Sequence, residues 1–117
     1  MDYRRLGNSG LEVSPLCLGT MMFGDRTDEK EAARIVGAAF DAGVNFIDTA
    51  DVYGDGHSER LIARVIKERG GKAPFVATKA GRRLPAQTVE GYTEANLRSW
   101  IDRSRTNLRM DTLDLLQ

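Results

Sequence analysis

An alternation constrains this chain more than any other feature: short apolar runs of β type are separated by segments whose apolar residues recur at helical spacing. Leu16-Cys17-Leu18-Gly19, Val44 to Ile47, Phe75-Val76-Ala77-Thr78 and Thr112 to Leu116 read as strands, the first of them buried. Thr20 to Thr27 reads as the loop after the first strand. Asp28 and Glu31 then form a capping-box-like pair ahead of Ala32, Ile35, Val36, Ala39 and Phe40, the stripe of an amphipathic helix, and Gly43 supplies a left-handed stop. Ser58 and Glu59 open a second helix with the stripe Leu61, Ile62, Val65 and Ile66, which Gly70-Gly71 ends. A third, near Thr93 to Leu108, places Leu97, Trp100, Ile101 and Leu108 on one side, with Trp100 in the core. At the N-terminus, Arg4-Arg5-Leu6 and Leu11-Glu12-Val13-Ser14 flank the turn signal Gly7-Asn8-Ser9-Gly10, which predicts a β-hairpin. Strands alternating with helices of this length imply an α/β fold of parallel strands joined by right-handed crossovers.

The 117 residues, 41% of them hydrophobic, suffice for one small domain. With 17 Lys+Arg against 17 Asp+Glu the formal charge is zero, which argues against a dedicated nucleic-acid binder. No apolar run approaches the roughly 20 residues that span a bilayer, and the charged start Met1-Asp2-Tyr3-Arg4-Arg5 leads into no apolar signal region, so neither membrane nor secretion is expected. Cys17 is the single cysteine; no intrachain disulfide can form, and a reducing, cytoplasmic location is the simplest expectation.

In parallel βα units the chemistry gathers at the C-terminal ends of the strands. There the chain carries Gly19-Thr20-Met21-Met22, Asp48 to Gly54, and Lys79-Ala80-Gly81, and Asp48, Tyr53 and Lys79 project toward one rim. An ammonium near a tyrosine favours phenolate and lowers a pKa that starts near ~10, so such a tyrosine can hand a proton to a developing alkoxide. Asp48 would hold the lysine in place and keep it charged. Residues of these types at loop starts also serve as ordinary solvated or structural groups, and their spacing names no reaction.

Competing motifs fail on their own chemistry. A calcium loop starting at Asp51 would put Tyr53 and Ile62 where oxygen ligands are needed. Gly54-Asp55-Gly56-His57-Ser58-Glu59 begins like a dinucleotide fingerprint but ends in Glu and follows a polar loop. Zinc-ligand spacing, a phosphate-binding P-loop and a nucleophile elbow are absent, and no metal is expected. Met21-Met22-Phe23 reads equally as a substrate mouth or as cover for the rim, and Arg82-Arg83 as a solvated loop or, less readily, as a contact for an anionic ligand.

Phe46 to Gly54 with Ser58-Glu59, the opening Tyr3 to Ser14, Leu18-Gly19-Thr20, Val76-Ala77-Thr78-Lys79 and Leu113 to Gln117 together resemble the aldo-keto reductases, from end to end and in order. The pattern is most similar to bacterial-type reductases and the related potassium-channel β subunits. The resemblance implies the first half of a TIM (β/α)8 barrel, with residues 1–117 as a single partial domain. It also implies NADP(H)-dependent hydride transfer between a nicotinamide and a small carbonyl or alcohol substrate, without a metal. Carried over, Tyr53 is the general acid, Lys79 tunes it and Asp48 pairs with Lys79; Gly19, Thr20, Met21 and Asp48 belong to the cofactor site.

The family's fourth catalytic residue, a His directly after the fourth strand, has no match before Gln117, and His57 reads instead as an exposed loop or helix-start residue. Arg105 stands where relatives often carry an apolar side chain, and would snorkel or alter local packing. A barrel of this kind takes roughly 250 residues, and four parallel strands cannot close one. Open sheet edges would then invite self-association. The chain is therefore expected to be the N-terminal part of a longer product or to associate in order to fold well, and to have little activity alone. A truncated remnant or a non-catalytic interaction module of the same fold is the alternative reading.

Overall fold

A computed structural model describes residues 1–117. Its first two strands, β1 (Arg4–Arg5) and β2 (Glu12–Val13), pair antiparallel, with Arg4 opposite Val13. The hairpin docks on the N-terminal end of the main sheet through side chains. Tyr3 Oη donates to the Gly43 carbonyl at 2.8 Å, Ser14 N–H donates to Asn45 Oδ1 at 2.7 Å, and Asn45 Nδ2 donates to the Glu12 carbonyl at 2.9 Å.

The main sheet is β3 (Leu18–Gly19), β4 (Phe46–Asp48), β5 (Phe75–Thr78) and β6 (Leu115–Leu116), in that spatial order and parallel throughout. Helices α1 (Glu29–Asp41), α2 (His57–Arg69) and α3 (Glu94–Leu108) make the crossovers. Asp28 caps α1 by accepting from the Glu31 N–H at 2.8 Å, and Thr93 caps α3 by accepting from the Asn96 N–H at 3.1 Å. The architecture expected from the alternation is the one observed. The outer edges of β3 and β6 carry no partner strand, so the sheet is open.

One face of the sheet carries the core. Ile47 and Val76 point to the helices and pack with Ala32, Val36, Leu61, Ile62, Val65, Phe23 and Leu108, all buried. The opposite face holds the alternate residues Phe46, Asp48, Phe75 and Ala77.

Several local expectations need correction. Leu16 is 63% exposed and Cys17 is exposed too, so the first strand is a short open edge rather than a buried run; no strand pairs on its outer side. The second strand starts at Phe46, and the fourth keeps only Leu115–Leu116, because those are the residues opposite a neighbour that can complete the ladder. Leu97 is exposed, since α3 turns that position past the edge of the core. Trp100 is buried outside the main cluster, edge-on to Tyr92 at 6.2 Å between ring centres. Arg105 is exposed and pairs with Asp102 at 3.1 Å, which disturbs no packing. No helix is long and apolar enough to cross a membrane.

Candidate active site

The sheet register builds the site. Asp48 ends β4 opposite Ala77, so Lys79, two residues beyond Ala77, rises on the same face. Lys79 Nζ donates to both carboxylate oxygens of Asp48 at 2.8 Å and to the Thr49 carbonyl at 2.8 Å. Tyr53, at the start of a 3-10 turn over Tyr53–Gly56, brings its hydroxyl to 3.5 Å from Nζ, and the ammonium lies 5.2 Å from the centre of its ring. The three side chains chosen from sequence thus meet at one rim.

Burial alone would depress the Lys79 ammonium. The hydrogen bonds and charge of Asp48, then those of Tyr53, outweigh it and hold the amine above its ordinary range. It stays charged at neutral pH. Gln117 Nε2 adds a 3.3 Å donor to Asp48 Oδ1. Cys17 lies nearby, and partial desolvation followed by the Asp48 charge pushes its thiol up against the opposing effect of Lys79.

Beneath the rim, three hydroxyls hold the strand ends together. Ser58 Oγ lies 3.0 Å from both Thr49 Oγ1 and Thr20 Oγ1, and Thr20 Oγ1 donates to the Asp48 carbonyl at 2.9 Å. Thr20 is therefore turned inward and offers a ligand only its backbone. Gly19 and Met21 face outward: Met21 is 56% exposed, and a Cβ built on Gly19 would meet nothing within 4 Å. A flat ring can approach the backbone there, beside Asp48 and Lys79, so these residues suit the nicotinamide end of a dinucleotide. Met22 is exposed but Phe23 is in the core, so the Met21-Met22-Phe23 run divides between rim and interior. His57 starts α2 as expected, but it is half-buried and fills the space where a Gly24 side chain would go.

Sequence reasoning missed a second group of charges around Tyr53. Glu59 is fully buried, accepting from Thr78 Oγ1 at 2.8 Å and from Asn107 Nδ2 at 3.1 Å. Asp51 is 1% exposed, and its Oδ2 has no partner. Burial first, and then the Glu59 charge, push the Asp51 carboxyl up, against Arg83, Arg103 and the Val52 N–H. A carboxyl raised on folding binds more protons in the native than in the unfolded state over the window between its two pKa values. Native stability therefore falls as pH rises through that window. Asp51→Asn is expected to raise the melting temperature at neutral pH, with the gain shrinking as pH falls toward the ordinary carboxylate range. Melts across pH check it; a gain independent of pH would contradict the assignment. The Ser58-Glu59 pair was visible in sequence, but only as a helix start.

The family model described as "Aldo/keto reductase family" matches residues 15–117. The oxidoreductase YrpG of Bacillus subtilis is 37% identical over the whole of this chain and 39% of its own length. A probable voltage-gated potassium channel subunit beta of Arabidopsis thaliana is 35% identical over 99% of the chain and 36% of its own length. The holo form of aldo-keto reductase AKR11C1 from Bacillus halodurans superposes with a TM-score of 0.83 at 36% identity, covering all of this chain and 39% of that one. The chain thus spans less than two fifths of the length of these proteins. A match over residues 15–117, joined to the parallel sheet and the Asp48–Lys79–Tyr53 rim, shows that the chain belongs to the aldo/keto reductase family.

Proposed function

We propose that residues 1–117 supply the acid–base half of an NADP(H)-dependent carbonyl reductase, interconverting small aldehydes or ketones and alcohols. The observation that carries this reading is the Lys79 ammonium, held by Asp48 and 3.5 Å from the Tyr53 hydroxyl, beside the open backbone of Gly19. A bound nicotinamide supplies the hydride that reaches the carbonyl carbon. Tyr53 Oη donates its proton to the substrate oxygen as negative charge builds there. Lys79 stabilises the phenolate left behind, and Asp48 with the Thr49 carbonyl keeps the ammonium aimed. In the oxidative direction the phenolate takes the alcohol proton back. Gly19 and Met21 would hold the nicotinamide through backbone and thioether, and Thr20 and Ser58 tie together the strand ends around Asp48.

The test uses a full barrel: residues 1–117 joined to the remaining units of the YrpG relative. Reduction of a small aromatic aldehyde with consumption of NADPH at 340 nm is the expected result. A folded chimaera that binds NADPH, seen as a change in nicotinamide fluorescence, but turns over no aldehyde, ketone or alcohol would overturn the reading. Such a result would favour a non-catalytic role, to which the likeness to the Arabidopsis channel subunit points.

A further inference from the structure

Lys79 is held by three acceptors at 2.8 Å, whereas the Tyr53 hydroxyl has one protein partner, the 3.5 Å contact with Lys79 itself. The backbone that carries the phenol therefore bears on where its hydroxyl lies. That backbone is unusual: Gly54, Asp55 and Gly56 follow with φ of 58°, 52° and 89°, three left-handed residues in a row. Asp55 is the one among them with a side chain that disfavours this region. The path is also packed in, because a Cβ on Gly54 would meet His57 at 3.1 Å and one on Gly56 would meet Arg60 and Asn107 at 2.8 Å.

Two arginines grip Asp55. Arg83 Nη1 donates to Oδ1 at 2.8 Å, and Arg103 Nη2 donates to Oδ1 at 3.2 Å and to the Asp55 carbonyl at 3.1 Å. Arg83 lies four residues after Lys79, and Arg103 lies on α3. The same two guanidiniums act on the buried Asp51. Carboxylates two residues before and two residues after Tyr53 thus share one pair of cations, and one of those cations belongs to the loop that carries Lys79.

We infer that Asp55 and Arg83, with Arg103, are positioning residues that set Tyr53 against Lys79 by strapping the turn after Tyr53 to the loop after Lys79. The inference rests on the acid–base reading of Tyr53 given above. Exposed ion pairs contribute little to stability, so a purely structural role would leave the phenol undisturbed. A positioning role registers at the phenol even when the melting temperature does not move.

The experiment uses the full-barrel chimaera carrying 13Cζ-tyrosine, with the Tyr53 resonance assigned by Tyr53→Phe. The pH titration of the Tyr53 resonance is followed with and without Lys79→Met. In the parent, Lys79→Met is expected to displace that titration. In Asp55→Gly, which suits the left-handed backbone and so preserves the melt, and in Arg83→Met, the displacement is expected to be lost. Arg83→Lys, which keeps the positive charge, is expected to restore part of it. Asp55→Asn gives the same reading if Arg83→Met melts the chain. Full displacement in Asp55→Gly, or in Asp55→Asn, overturns the strap and leaves the acid–base reading standing. No displacement by Lys79→Met in the parent overturns both.

Discussion

Tyr53→Phe in the full-barrel chimaera is expected to lower turnover by about 10²–10⁴-fold, the range that a positioned general acid contributes. NADPH binding should be unchanged, because the aromatic ring stays and the proposed nicotinamide site is formed by Gly19 and Met21. The physical reason is narrow. Phe keeps the packing at the start of the 3-10 turn but removes the hydroxyl whose oxygen lies 3.5 Å from the Lys79 ammonium. Stopped-flow absorbance at 340 nm reads turnover, and nicotinamide fluorescence reads binding. A variant within a few-fold of the parent in turnover would remove Tyr53 from the chemistry. A parallel loss of cofactor binding would show that the hydroxyl has a second role.

The second large effect is on stability. Leu61→Ala is expected to cost about 2–5 kcal/mol, the range for a large aliphatic side chain removed from a packed core. Leu61 is fully buried, on the face of α2 that packs with Val36, Ile47 and Val76 beneath the sheet. Small domains have a net stability of about 5–15 kcal/mol, so this one substitution removes a large share of it. Leu97→Ala is the control, since Leu97 is 38% exposed and its loss should barely move the midpoint. Urea titration followed by circular dichroism measures both. Equal losses at the two positions would mean that the core does not lie between the helices and the sheet.

The legibility of this molecule divides along the range of its interactions. The start of α1 was readable because a cap is a contact within three residues, Asp28 with the Glu31 N–H; Thr93 caps α3 in the same way, a role its sequence reading as an approximate helix start did not include. Gly43 and Gly70, at φ of 94° and 69°, mark helix ends through their own backbone freedom. Strand lengths were less readable, since a residue counts as strand only if a neighbour lies opposite it. Leu16 and Cys17 have the right composition and no partner. The catalytic candidates were legible because period 2 and the strand-end rule put Asp48 and Lys79 on one rim without any knowledge of the loops.

Charges in loops gave no such signal. Arg83 read as solvated, yet it grips Asp55 across 28 residues of chain, and Arg103 does so across 48. The acidic run Asp51, Asp55 and Glu59 looks uniform in sequence and splits in space. Asp51 is buried without a full set of partners, Asp55 lies on two arginines, and Glu59 is sealed under Thr78 and Asn107.

From sequence alone came the alternation of parallel strands and helices, the cap of α1, and the three residues at the rim, because each depends on spacing within one element or on a rule that all βα units obey. Only the tertiary structure decided how far each strand runs, which way Thr20 turns, and what holds Tyr53 in place. Those outcomes depend on pairs of residues that the chain brings together from tens of positions apart, and no local pattern encodes such a meeting.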